Sequence, residues 1–135
     1  MDTRSSHLKG IRPHIASAKV SSDTSSDEYF QNTTLRPIIK FQNVLLLAGF
    51  KNYVRKHKDT FYDLSLEGRL SYIEKAIQKD IKFRNSLKGM IIGHFTEEEY
   101  AIYIQNSSAI NKRMMNMVIT RLKDQIQLLD KGILV

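Results

Sequence analysis

The sequence predicts an all-α protein: a small bundle of four or five helices with an extended polar N-terminal arm. Two observations carry this. Apolar residues from about position 35 onward recur at intervals of three and four, the spacing of one helix face. No segment alternates with the period of two that a half-buried strand needs, so no sheet is expected. Helix starts and stops are also marked, by Ser, Thr or Asn before a periodic run and by Gly after it.

Residues 1–34 read as an arm, extended or disordered, and residues 35–135 as one basic helical domain. The arm is rich in Ser, Thr and Asp, its apolar residues are isolated, and the tract around Asp23 cannot bury a core. Pro13 pushes Arg12 toward extended backbone. A short helical turn is expected near residues 27–33, with Tyr29 and Phe30 as an anchor. The first long helix is expected over 35–57, with Thr34 as its cap and Pro37 in its first turn, where a missing N–H costs nothing. Ser65 caps a second helix whose Leu66, Leu70, Ile73 and Ile77 share a face. A further stretch spans 80–92, with Ile81, Leu87, Met90 and Ile91 inward, and Gly93 ends it. The pattern leaves open a break at Lys79–Asp80. Thr96 and Glu99 form a capping box that opens a short helix. Asn106, Ser107 and Ser108 precede the longest element, expected over 109–130 and stopped by Gly132.

The chain has 135 residues, the length of one ordinary domain. It has no cysteine, which excludes disulfides, thiolate metal sites and Cys nucleophiles together and fits a reducing compartment. The N-terminus shows no apolar signal region, and no apolar run approaches the ~20 residues of a membrane span. A cytoplasmic protein with no membrane partner is the expectation. The formal net charge is +7. Residues 1–35 are neutral overall, with a basic first half and an acidic second half, so the whole excess lies in residues 36–135. Such a field attracts polyanions.

Catalytic patterns are missing. The four histidines form no i, i+4 pair, so a helical zinc motif is not expected. His94 with Glu97 or Glu98 is the nearest thing to a ligand cluster, but three glutamates in a first turn are explained by the helix dipole. No nucleophile elbow or glycine-rich phosphate loop occurs. Neither catalytic residue, metal nor cofactor is therefore expected. Met114, Met115 and Met117 could make an adaptable protein-binding face, although Met at helical spacing more often fills a core.

The basic residues are more directive. Arg4, Lys9, Arg12 and Lys19 lie in the arm, where they could follow a phosphate backbone, and deletion of residues 1–20 is expected to spare the fold. Lys51, Arg55, Lys56 and Lys58 surround His57. Lys79, Lys82, Arg84 and Lys88 form a second group, and Lys112, Arg113 and Lys123 a third. Cations interleaved with amide and hydroxyl donors are what phosphate contacts use. A non-catalytic RNA-binding protein is the leading expectation. A protein–protein adaptor using the Met-rich helix or the Tyr29–Phe30 anchor is the second, and a small enzyme is the third.

Residues 75–93 (KAIQKDIKFRNSLKGMIIG) and 105–116 (QNSSAINKRMMN) carry a resemblance. Over about residues 30–130 the chain resembles a lineage-restricted group of short bacterial proteins, some of them labelled glyoxalase. That label implies paired β-α-β-β-β modules with His and Glu metal ligands, and this chain has neither pattern. The group is also similar to lineage-specific accessory ribosomal proteins. That likeness implies a ribosome-associated protein contacting ribosomal RNA through a basic globule and a terminal extension, with neighbouring proteins as further partners.

Overall fold

Caps and apolar spacing set most of the helix boundaries in the computed structural model, which describes residues 2–15 and 25–130. Every regular element among them is helical. In chain order these are α1 (Thr3–Ile11), α2 (Ser26–Phe30), a π-helical turn (Gln31–Leu35) and α3 (Arg36–Phe41). Then come α4 (Asn43–Lys56), a 3-10 turn (Thr60–Asp63), α5 (Leu66–Lys79), α6 (Ile81–Ile92) and α7 (Glu97–Tyr103). Finally α8 (Ser107–Asp124) gives way to a 3-10 turn (Ile126–Leu129). The all-α class holds, with more helices than the four or five expected.

The chain divides into two compact units, residues 1–42 with 88–114 and residues 43–87 with 115–135. In the first, the buried side chains include Phe30, Leu35, Ile38, Ile91, Phe95 and Ile110. Phe95 packs edge-on against both Phe30 and Tyr103, with ring centroids 5.5 Å apart in each pair. Edge-to-face geometry of this kind sets the positive rim of one ring on the negative face of the next. In the second, Leu46, Leu47, Phe50, Phe61, Ile73 and Leu122 are buried. Phe50 is the hub there, within 5.5 Å of Phe61 and 6.1 Å of Tyr72.

Among the described residues of the expected arm, 3–11 and 26–34 are helical rather than extended. Asp2 caps α1 by accepting from the Ser5 N–H, and α1 belongs to the first unit. Its mean composition is polar, but two arginines find partners far along the chain: Arg4 donates to the carbonyls of Gly93 and Phe95, and Arg12 to that of His94. The helical turn expected near 27–33 is present as α2, capped by Ser25, and it runs through the π turn into α3, so the first long helix has no separate start at 35. Thr34 is no cap. It is buried in the π turn and its hydroxyl donates to Glu99.

The helix expected over 35–57 is interrupted at Gln42, whose side-chain amide donates to the Met90 carbonyl. The open question at residue 80 resolves as a break. Asp80 has extended backbone, and its carboxylate caps α6 through the Phe83 N–H. Ser65 and the Thr96–Glu99 capping box act as expected. Leu66 and Ile81 do not point inward; each opens its helix and is more than half exposed. Gly132 lies outside the described residues. No helix among the described residues is long and apolar enough to cross a membrane.

Candidate nucleic-acid interface

The second unit carries a groove of about 890 Å³ built from three chain segments. The end of α4 and the turn after it supply Lys56, His57 and Lys58. One face of α5 supplies Lys75 and Lys79, four residues apart and therefore stacked along the helix. The start of α6 supplies Lys82. Against five lysines the lining holds one carboxylate, Asp80.

That carboxylate is already committed. One oxygen accepts from the Phe83 N–H at 3.2 Å and the other from the Tyr53 hydroxyl at 3.1 Å. The Phe83 bond is the main reason that Asp80 titrates below the ordinary carboxylate range, with help from Tyr53 and the nearby His57. Burial, reinforced by Asp80, pushes Tyr53 up to about 12, so Tyr53 stays a protonated donor at physiological pH.

An aromatic stack stands beside the lysines. Phe83 lies against Tyr53 at 4.2 Å and 27°, and Tyr53 against His57 at 4.0 Å and 25°. His57 is the exposed end of that stack. Its Nδ1 lies 2.8 Å from the Tyr53 carbonyl oxygen. A carbonyl only accepts, so Nδ1 carries the proton and the ring is fixed in plane. Lys58 and Asp59, which follow, both take left-handed backbone (φ 64° and 58°). That conformation is strained for residues with a Cβ, and it forms the sharp exit from α4 at the groove rim.

The structure thus brings together Lys56, Lys58, Lys79 and Lys82 of the basic residues singled out in the sequence. It adds Lys75, whose signal was its four-residue spacing from Lys79, and the stacking face of His57. Others are placed elsewhere. Arg55 is exposed and donates to Asn52, Arg84 is half-buried, and Lys51 is half-buried and already engaged. Lys123 pairs with Glu74 at 3.0 Å. Lys9, Lys88 and Lys112 belong to the first unit, as does Arg113, which donates to Gln31. Lys19 lies outside the described residues.

Arg12 is the clearest correction. It is nearly buried and forms a two-pronged ion pair with Glu99, both N–O distances being 2.6 Å. Glu99 also accepts from the Thr96 N–H and the Thr34 hydroxyl, so all its acceptor capacity is used inside the first unit. Arg4, which is exposed, donates from both terminal nitrogens to carbonyls of the first unit.

His94 rests tilted against Phe41. Burial and then the charges of Arg12 and Arg4 hold it below the usual histidine range. Among the described residues no group of three His, Cys, Asp or Glu side chains could hold a metal ion. Met114, Met115 and Ile119 are buried, so the Met-rich helix offers core rather than a docking face, whereas Tyr29 is half exposed. Compared with protein families, curated proteins and solved structures, the chain matches none.

Proposed function

We propose that this is a non-catalytic RNA-binding protein, an accessory component of the ribosome in the cytoplasm, which grips ribosomal RNA through the lysine groove of its second unit. One observation carries the reading: five lysines line a single groove that holds one carboxylate, Asp80. Lysine ammonium groups contact phosphates without reading sequence, and each contact releases condensed counterions. Residues 75–93 and 105–116 resemble a group of short bacterial proteins that is itself similar to accessory ribosomal proteins, and that resemblance is the reason for naming ribosomal RNA. The basic end of α4 and the basic face of α5 would carry the contacts, and α1 would not.

Co-sedimentation of the purified chain with ribosomes over a salt series tests this. The chain should pellet with ribosomes at low salt and be released as salt rises. A chain that stays wholly in the supernatant at low salt contradicts the proposal.

A further inference from the structure

The charge of the groove accounts for phosphate but not for the aromatic stack at its side, and the stack points to a narrower ligand. Phe83, Tyr53 and His57 lie nearly parallel, 4.2 and 4.0 Å apart, and His57 is the exposed last plate. Its neighbours in the chain, Lys56 and Lys58, both line the same groove. The hydrogen bond from Nδ1 to the Tyr53 carbonyl keeps the ring from rotating away from the stack. A plate ordered in advance saves the entropy of ordering it on binding.

A base inside a duplex has both faces covered by its neighbours and shows only its edges. An unpaired base has a bare face, and every base has one, so an exposed flat ring in a lysine-lined groove suits a single strand of any sequence. Lys75 and Lys79 on α5 stand about 6 Å apart along the helix axis, a spacing that can follow successive phosphates of an extended strand.

Resting on the RNA-binding reading of the same groove, we infer that it takes single-stranded RNA, with one unpaired base stacked on the exposed face of His57 and the adjoining phosphates on Lys56, Lys58, Lys75 and Lys79. The stack makes His57 a specificity residue: it favours unpaired over paired RNA, while the lysines set the salt dependence common to both. Asp80 lines the same groove, and its charge disfavours a phosphate close to Tyr53.

The test uses the full chain and two probes, a ten-nucleotide oligoadenylate carrying one 2-aminopurine and a ten-base-pair RNA duplex, each titrated at several salt concentrations. The wild type should bind the single strand more tightly than the duplex and quench the 2-aminopurine. His57→Ala should weaken single-strand binding about tenfold, within the range of a lost base–aromatic stack. It should also abolish the quenching and leave both the salt slope and duplex binding unchanged. His57→Phe, which keeps a flat ring, should restore affinity and quenching. If His57→Ala binds the single strand as the wild type does, or if the wild type prefers the duplex, the inference is overturned while the salt-dependent RNA reading stands. If the wild type binds neither probe at low salt, the RNA-binding reading falls with it.

Discussion

Glu99 shows how one side chain can serve two structural purposes at once. As the third residue of α7 it closes the capping box with Thr96, and its carboxylate is also the terminus for both prongs of Arg12. Burial alone would raise its pKa. The bonds from Arg12, Thr96 and Thr34, with the charge of Arg12, outweigh burial, and the net shift is downward. A carboxyl held below its unfolded value lends stability that is fully present above that value and is lost as pH falls through the folded one. The chain should therefore lose thermal stability as pH drops below about 4.5, and Glu99→Gln should flatten that acid limb. Glu99→Ala, which strands the Arg12 charge, should cost about 3–5 kcal/mol in denaturant melts at pH 7. Asp80 makes the opposite case, a charge that sits where phosphate is expected. Asp80→Asn keeps a capping oxygen for Phe83, so the melting temperature should barely change, while RNA affinity at low salt should rise severalfold. Lower affinity in this variant would mean that Asp80 organises the groove rather than opposing the ligand.

At the scale of elements, what was legible in the sequence was local. Ser65, Thr96 and Glu99 act within three residues of themselves, so their caps can be read from spacing alone. The apolar face of α5 at Ile73 and Ile77 is legible for the same reason. Helix α1 was illegible because nothing near it explains it: its apolar residues are few, and what holds it is a pair of arginines reaching residues 93–99. Composition describes such a segment as a solvated arm, whereas its specific long-range bonds make it part of the first unit. Deleting residues 1–15 should therefore lower the melting temperature followed by circular dichroism, because Glu99 is left buried without its cation. It should leave RNA affinity near its original value, since α1 contributes nothing to the lysine groove. An unchanged melt would show that the arginine contacts add nothing to stability.

For the whole molecule, the net charge of +7 announces a polyanion partner without saying where it binds. The sequence groups the cations by nearness along the chain, and the fold regroups them. Arg12 is withdrawn into an ion pair, Lys123 is drawn toward Glu74, and Lys75 joins lysines 56, 58, 79 and 82 in one groove. Only three-dimensional placement could separate structural from ligand-facing cations, because an arginine that satisfies a buried carboxylate and one that awaits a phosphate look the same in one dimension. The central claim is that this groove is where RNA phosphates are neutralised. The most direct measurement is the slope of log affinity against log salt for single-stranded RNA, compared between the wild type and a Lys56→Gln, Lys75→Gln, Lys79→Gln triple variant. Each lost phosphate contact removes about 0.7 from the slope, so the triple variant should bind more weakly with a slope shallower by about 2. A triple variant with the wild-type slope would place the phosphate contacts elsewhere on the molecule and contradict the account.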